Sequence, residues 1–292
     1  MVAYDSARFT AAPSKGRVLL RRFSVRQTVF ALVALSLSFA FMLPIIWMLF
    51  ASFRTIPDLT SYPPTLLPHS WTFGNYTEVF RELPFLHLYQ NTLLYAGTVT
   101  ISSLVLDSMA AYALARLRFR GSSVVFFVII ILLMLPFQVT LVPLYILMHN
   151  LGLVNTLPGL IIPRLSNAFG IFFMRQFFLG LPHDLEDAAR IDGASEWRIF
   201  RQVIAPLAKP ALLALGLFYF QGNWNDLIWP LIMTSNARDG TLPAGLSLFN
   251  GQHNINYGVV MAGSVLTLIP VILLFLVVQK SFVQGIATTG TK

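Results

Sequence analysis

The sequence predicts an all-α integral membrane protein with six transmembrane helices. Its 292 residues are 56% hydrophobic and only 11% charged, and they include six apolar runs of about 20 residues. An average soluble domain carries about 25% charged residues, so this chain has more apolar surface than one soluble core can hide. We therefore expect one membrane domain. The chain has no cysteine, which excludes disulfides and thiolate chemistry.

Each predicted span is long enough to cross the hydrocarbon core of a bilayer as a helix. Pro136 and Pro143 lie inside the third span and should weaken its helix. Residues 1–27 precede the first span as an N-terminal arm, and residues 28–292 form the predicted membrane domain. The six predicted spans are 28–50, 92–115, 124–148, 159–179, 211–233 and 258–279.

The distribution of basic residues predicts the orientation of the chain. A cytoplasmic N-terminus assigns all 20 lysines and arginines to that side except Arg54, Arg81, Arg164 and Arg238. Such an excess is expected on the cytoplasmic side of a membrane protein, so both termini are predicted to be cytoplasmic. The same asymmetry accounts for the net charge of +8, and no nucleic-acid partner is needed to explain it.

The loop between the fourth and fifth spans, residues 180–210, reads as two short helices joined at an elbow. Asp184 is predicted to cap the first helix, and Gly193 permits the turn that ends it. Ser195 is predicted to cap the second helix. That helix has an apolar stripe and is closed by prolines, at Trp197, Phe200, Ile204, Pro206 and Pro210.

This loop presents groups that suit contact with another protein. Glu186 and Asp187 offer carboxylates to partner arginines, and the small side chains of Ala188, Ala189 and Gly193 permit close approach. The alternative from the pattern alone is an amphipathic helix that rests on the membrane surface.

The loop resembles the EAA loop of ABC importer permeases, written Glu-Ala-Ala, three residues, Gly, nine residues, Ile-x-Leu-Pro. Ala188, Ala189, Gly193 and Pro206 fall in register, and Asp187 stands where the family has glutamate. Valine and alanine replace the isoleucine and leucine before the proline, so the apolar character is kept. Because the aspartate is one methylene shorter, Glu186 is an alternative for the acid that contacts the partner.

Four further segments resemble the carbohydrate-importing branch, specifically the second six-span permease of maltose-type transporters. They are Asn-Thr-Leu-Leu-Tyr at 91–95, Ala-Ala-Tyr-Ala-Leu-Ala-Arg at 110–116, Trp-Asn-Asp-Leu-Ile-Trp-Pro-Leu at 224–231 and Phe-Val-Gln-Gly-Ile at 282–286. The resemblance implies the type I ABC importer permease fold in a bacterial inner membrane. It also implies a heterodimer with a second permease, two cytoplasmic ATPase subunits and an external solute-binding protein.

The resemblance further implies how the work is divided between subunits. ATPase coupling falls to Glu186, Asp187, Ala188, Ala189, Gly193 and Pro206. The sequence has no Gly-x-x-x-x-Gly-Lys-Ser/Thr phosphate loop, so ATP and Mg²⁺ are expected in the partner ATPase and no cofactor in this chain. The implied solute is a sugar or oligosaccharide, with a glycerol phosphate or polyol as the alternative. A secondary transporter or an intramembrane enzyme is a more remote alternative.

Polar residues inside the predicted spans have two interpretations. Gln221, Asn225 and Asp226 share one face of the fifth span, where they would line a solute path or hydrogen-bond to other helices, with Asp226 holding a buried partner. Arg164 is predicted to reach the outer interface as an anchor. Asp107 is predicted to be structural, with Ser103 as its partner.

The two long outer segments, 52–91 and 234–257, mix proline, glycine and aromatic residues in the manner of ordered loops. A helix within 71–86 would lie along the interface or pack as a connecting helix. In the second segment, contact with the binding protein is predicted for Thr241, Leu242, Pro243 and Gly245, and the alternative is a hairpin that covers helix ends.

Overall fold

The computed structural model describes residues 25–63, 65, 67–236, 238–247 and 256–289, with the backbone alone for 280–289. The predicted N-terminal arm, 1–27, lies outside these residues except at its end. The chain divides into two compact units, Met1–Ile46 and Trp47–Lys292.

Helices and the turns between them account for the described ranges, in which no strand occurs. Within the described residues, short helices connect or flank the longer ones. The helices are α1 (Val25–Ala51), α2 (Ile56–Leu59), α3 (Gly74–Glu82), α4 (Phe85–Arg116), α5 (Ser122–Met134), α6 (Phe137–Asn150), α7 (Leu157–Ile161), α8 (Ala168–Leu179), α9 (Asp184–Ile191), α10 (Glu196–Ile199), α11 (Ala205–Leu207), α12 (Lys209–Trp224), α13 (Ile228–Met233), α14 (Leu242–Ser247) and α15 (Tyr257–Thr289).

Four helical segments are individually long and apolar enough to cross a membrane: Val25–Ala51, Phe85–Arg116, Leu157–Leu179 and Tyr257–Gln279. Two bent pairs, α5 with α6 and α10–α11 with α12, raise the number to six when each pair counts as one span. This agrees with the six predicted spans.

The predicted third span is broken more sharply than a local weakening. α5 and α6 meet at an angle of 101°. Pro136 follows the end of α5. Because proline disfavours a helical backbone at the residue before it and has no amide hydrogen to donate, the α5 helix does not continue through this point. Pro143 lies inside α6, which continues past it to Asn150.

The predicted fifth span is not a single helix. α12 ends at Trp224, and α13 starts at Ile228 after a three-residue interruption. The polar residues Asn225 and Asp226 therefore lie at a helix end and in the break, and they do not continue the face of one helix. This corrects the placement that a continuous 211–233 helix predicts.

α4 is the central helix of the second unit, and it contributes to three clusters of buried side chains. At its start, Leu88 packs with side chains of α3, α14 and α15. In its middle, Tyr95 packs with Trp229 of α13. At its end, Tyr112 packs with Phe178 of α8 and with residues of α10 to α12. One rigid element therefore connects all three clusters.

The first outer segment is ordered, as predicted. Asp58 accepts hydrogen bonds from the backbone amide of His69 at 3.0 Å and from its ring Nδ1 at 2.6 Å, and Arg54 lies 3.5 Å away. Val79 and Leu83 are buried, which makes α3 a packed connecting helix.

Candidate functional site

Residues 180–210 form the predicted helix, elbow and helix, here called the coupling segment. Gly193 follows α9 with a φ of 76°, a conformation in which any residue with a Cβ is strained. Ser195 caps α10 as predicted, by accepting the amide of Arg198. The predicted cap by Asp184 is wrong, because His183 occupies the N-cap position and Asp184 is the first helical residue.

The second arm of the coupling segment contains one π-helical turn, Phe200–Ile204, between α10 and α11. Pro206 has no amide to donate to the carbonyl four residues earlier, which favours a departure from regular α-helix here. Ile199 and Ile204 are buried on one side of this arm, while Trp197 is exposed. The predicted apolar stripe therefore only partly faces the core.

Glu186 does not offer its carboxylate to a partner protein, which corrects the prediction for this residue. Its Oε1 atom lies 2.9 Å from Nε of Arg116, and the two side chains are 1% and 0% exposed. Asp187, by contrast, has a side chain that is 64% exposed. Ala188 is also exposed, and Ala189 is half-buried. Of the two acids predicted to contact the partner, Asp187 is thus the accessible one.

Arg116 ties the inner end of α4 to the start of the coupling segment. Its Nη2 atom donates to the carbonyl oxygens of Phe178 at 2.6 Å and Leu181 at 2.7 Å. Its Nη1 atom lies 2.7 Å from Nε2 of His183. The buried guanidinium therefore has a carboxylate at ion-pair distance and two carbonyl oxygens as hydrogen-bond acceptors, and such partners offset the cost of a buried charge.

Arg190 connects the two arms of the coupling segment. Its Nε atom lies 3.0 Å from Oε1 of Glu196, its Nη1 atom 3.0 Å from Asp187, and its Nη2 atom 3.5 Å from Glu186. The hydrogen bond to Glu196 raises the pKa of Arg190 above its ordinary value, so its charge persists. Tyr112 of α4 donates a hydrogen bond of 2.8 Å to Oε2 of Glu196.

We call these five residues, Tyr112, Arg116, Glu186, Arg190 and Glu196, the coupling network. Except for Tyr112, they line a polar cavity of about 460 Å³ together with Asp187, His183, Leu117 and Arg118. Sequence reasoning missed the roles of Tyr112 and Arg116. The available signal was their spacing of one helical turn at the end of a span, in the Ala-Ala-Tyr-Ala-Leu-Ala-Arg segment.

A second polar cluster lies where helices are interrupted. Oδ2 of Asp226, in the break after α12, accepts hydrogen bonds from Arg164 at 3.0 Å and from the Tyr95 hydroxyl at 2.8 Å. The Arg164 guanidinium also lies 4.0 Å from the ring centroid of Phe137, at the start of α6. The prediction that Arg164 is an interfacial anchor is therefore wrong. Asp226 does hydrogen-bond another segment, as the alternative interpretation predicted, but its partner Arg164 is partly exposed and not buried.

The three residues predicted to line a solute path are separated by this geometry. Gln221 and Asn225 are exposed on this chain, whereas Asp226 is engaged with Arg164. Asn225 lines a cavity of about 340 Å³ whose other polar members are Ser247, Ser264 and Thr267, with Met48, Leu227, Pro243, Leu246, Val260 and Leu268 as the apolar lining.

Asp107 has the structural role predicted for it, although with different partners. Its carboxylate accepts hydrogen bonds from the Ser166 hydroxyl at 2.6 Å, the Asn167 amide at 3.0 Å and the Tyr219 hydroxyl. Ser103, its predicted partner, instead donates to the carbonyl oxygen of Arg164. Asp107 thus joins α4, α8 and α12.

The segment predicted to touch an external protein is largely buried in this chain. Leu242 is 0% and Thr241 is 1% exposed, and Gly245 packs directly against Leu88. Pro243 is half-buried and lines the cavity that contains Asn225. For Thr241, Leu242 and Gly245 the placement contradicts the prediction, because they fill the core beside α4 and leave no side chain for a partner.

Comparison with known proteins agrees with this architecture. Over residues 105–288 the chain matches the family described as binding-protein-dependent transport system inner membrane component. It is 35% identical over 266 residues to an arabinooligosaccharides transport system permease protein of Halalkalibacterium halodurans, covering 88% of this chain and 95% of that protein. It is 33% identical over 269 residues to an sn-glycerol-3-phosphate transport system permease protein of Salmonella typhi, covering 89% and 95%.

A solved structure also resembles the chain. A subunit of a bacterial ABC transporter involved in the import of the acidic polysaccharide alginate superposes with a TM-score of 0.76 at 30% identity, over 89% of this chain and 99% of that one. The match extends over nearly the whole of the neighbour's chain. The chain therefore belongs to the binding-protein-dependent transport system inner membrane components, and it is a permease subunit of an ABC importer.

Proposed function

We propose that the coupling segment is the surface through which a separate ATPase drives this permease. The observation that carries the proposal is the contrast within one helical turn of α9, where Asp187 and Ala188 are exposed while Glu186 is bound to α4. An exposed carboxylate beside small side chains suits a partner arginine and close packing. Because Glu186 in the same turn is bound to α4, a force that the ATPase applies to the exposed face of the turn would move α4 within the membrane domain.

The proposed orientation places the coupling segment and both termini in the cytoplasm of a bacterium, with the chain in the inner membrane. Arg118 and Arg120 follow the inner end of α4, near the start of the coupling segment, and Arg190, Arg198 and Arg201 lie within that segment. This clustering of basic residues is expected on the cytoplasmic side. The outer segments then face the solute-binding protein.

The proposed assembly is a heterodimer of this chain with a second permease, joined to two ATPase subunits and served by an external solute-binding protein. ATP and Mg²⁺ would bind the ATPase subunits, since the 292-residue sequence contains no phosphate loop. Alternating access would then be a two-state equilibrium biased by nucleotide on one side and by the loaded binding protein on the other.

The proposed solute is a sugar or oligosaccharide. Among the residues that line the 340 Å³ cavity, every polar one is an uncharged amide or hydroxyl. Such groups suit a neutral polyhydroxyl solute, whereas a phosphate is ordinarily held by arginine or lysine. The relative that is named for glycerol phosphate keeps that solute as the second candidate, and a polyol would fit the same neutral lining.

The test is reconstitution of the chain with its second permease, ATPase and solute-binding protein in vesicles. We expect uptake driven by ATP for a neutral oligosaccharide, and no competition by excess sn-glycerol 3-phosphate. ATP-driven uptake of glycerol phosphate alone would contradict the solute proposal. Failure of the chain to copurify with an ATPase would contradict the coupling proposal.

A further inference from the structure

We propose that Glu186 is a positioning residue that fixes the coupling segment to α4 in a single orientation, so that movement of the segment is transmitted to the membrane helices. This inference rests on the proposed function of the segment. It assigns to Glu186 a contact inside the chain, distinct from the contact with the ATPase that Asp187 provides.

Two separate contacts join the coupling segment to α4. Arg116 holds Glu186 on the first arm, and Tyr112, one helical turn earlier on α4, holds Glu196 on the second arm. One link alone would leave the segment free to pivot about it. Two links on opposite sides of the Gly193 elbow define both its position and its angle.

A further contact spans the elbow at Gly193. Arg190, on the first arm, lies 3.0 Å from Glu196 on the second. The φ of Gly193 permits the turn but does not by itself fix the angle between the arms. The ion pair spans the turn, so the two arms and the end of α4 form one closed loop of contacts.

These ion pairs differ in burial. The Arg116–Glu186 pair is buried on both sides, whereas the Arg190–Asp187 pair joins side chains that are both exposed. Opening the buried pair separates two charges in the chain interior, which is costly, while exposed pairs contribute little to stability. Asp187 can thus leave Arg190 for a partner protein while Glu186 stays bound to α4.

α4 is long enough to connect the coupling segment to the break between α12 and α13. It has 32 residues, so it is about 48 Å long at 1.5 Å per residue. Its inner end carries Arg116, and its middle carries Tyr95, which hydrogen-bonds Asp226 in the break between α12 and α13. A tilt imposed at the inner end therefore reaches the break between α12 and α13, where Asn225 and Leu227 line the 340 Å³ cavity.

The test uses the reconstituted importer and four variants. Glu186→Gln removes the charge that binds Arg116, Glu186→Asp keeps it on a shorter side chain, and Tyr112→Phe removes only the hydroxyl that binds Glu196. Arg120→Gln is the control, because it also removes one charge and Arg120 is exposed after the end of α4, outside the coupling segment and the coupling network. Copurification with the ATPase, ATP hydrolysis, and solute taken up per ATP hydrolysed are measured for each.

We expect Glu186→Gln to keep the ATPase bound and hydrolysing ATP, while solute uptake per ATP falls by about fivefold or more, the usual lower range for coupling between sites. Tyr112→Phe should lower the same ratio by a smaller factor, and Glu186→Asp should restore part of it. Arg120→Gln should match the wild type. Loss of an assembly role alone would not change uptake per ATP in the complexes that do form.

An assembled Glu186→Gln complex with the wild-type ratio overturns the inference, as does an equal loss in the Arg120→Gln control. If Glu186→Gln does not assemble, Tyr112→Phe decides, and an unchanged ratio in that variant overturns it. A wild-type complex that lacks ATP-driven uptake contradicts the proposed function itself, and the inference falls with it.

Discussion

The Nε atom of Arg116 lies 2.9 Å from Oε1 of Glu186, and this buried ion pair joins the inner end of α4 to the first helix of the coupling segment. Both charges lie in the chain interior, where a charge without a partner is costly. The pair therefore specifies how the coupling segment sits on the membrane helices.

Replacement of Arg116 by Gln should lower the free energy of unfolding by about 3–5 kcal/mol, because the buried Glu186 loses its partner at 2.9 Å and keeps only the Arg190 contact at 3.5 Å. Unfolding of the purified chain in detergent measures this. Arg118→Gln is the control, since Arg118 is exposed two residues away and should change stability little. Equal stability of the Arg116 variant and the control would contradict the ion-pair assignment.

Asp226 and Arg164 should behave as a coupled pair. Asp226→Asn leaves the partly buried Arg164 without its carboxylate, and Arg164→Gln leaves the carboxylate with Tyr95 alone. The double variant should be less destabilised than the sum of the single variants, by about 0.5–3 kcal/mol. A double-mutant cycle of unfolding free energies measures this, and strict additivity would show that the two side chains do not interact.

Gly193→Val should destabilise the coupling segment by about 1–2 kcal/mol, because a β-branched residue is strained at a φ of 76°. Gly193→Asn is the control, since asparagine tolerates this backbone better. Nothing lies near the added Cβ within the chain, so the effect is one of backbone strain. Hydrogen exchange across 184–199 measures it, and identical exchange in the two variants would contradict the assigned turn.

Gly170→Ala should disrupt the junction of α4, α8 and α12. A Cβ at this position would overlap the Tyr219 hydroxyl and the carboxylate of Asp107, so a cost of about 1–3 kcal/mol is expected from overpacking. Gly97→Ala is the control, because a Cβ there meets nothing within 4 Å and alanine favours the helix. A variant of Gly170 as stable as the control would refute this close packing.

The hydrogen bond from the His69 ring lowers the pKa of Asp58 below its ordinary value, and the nearby Arg54 acts in the same direction. A lowered pKa means that the folded state favours the carboxylate. Its contribution to stability is therefore complete above the ordinary value of about 3.9 and is lost as the pH falls through the lower folded-state pKa. Asp58→Asn should remove this contribution.

The difference in unfolding midpoint between wild type and Asp58→Asn should accordingly be present at about pH 7 and shrink toward about pH 3. Asp239→Asn, on the other outer loop, supplies the comparison, since its carboxylate has only the Asn236 amide as a hydrogen-bond partner in the described residues. A difference that stays constant over this range would show that the pKa of Asp58 is the same in the folded and unfolded states, which contradicts the assigned lowering.

Much of the fold was predictable because its signals are local. Apolar runs gave the spans, and Pro136, Gly193 and Ser195 act on the backbone within a few residues of themselves. The same local rules predicted the two arms of the coupling segment. Asp184 was misplaced by one residue at the helix start, where cap positions are least defined by sequence.

The partners of buried polar groups were not predictable from such rules. Glu186 and Arg116 are far apart in sequence, and hydropathy along one helix does not say which charge on another helix faces it. The break between α12 and α13 likewise places Asp226 against Arg164, although the apolar run resumes after the break and continues to Met233. Leu242 lies among proline and glycine residues, a context that is typical of an exposed loop. Its burial depends on Leu88, which is distant in sequence and packs in the same cluster.

The most direct test of the account is cross-linking from the coupling segment to the ATPase. The chain has no cysteine, so a single cysteine introduced at the exposed Ala188 can be linked to lysines of the ATPase by a cysteine-to-lysine cross-linker in the assembled importer. We predict a cross-link to the ATPase from Ala188→Cys and none from Asn236→Cys, on the opposite side of the proposed topology. A cross-link from Asn236→Cys but not from Ala188→Cys would contradict the assignment of the coupling segment.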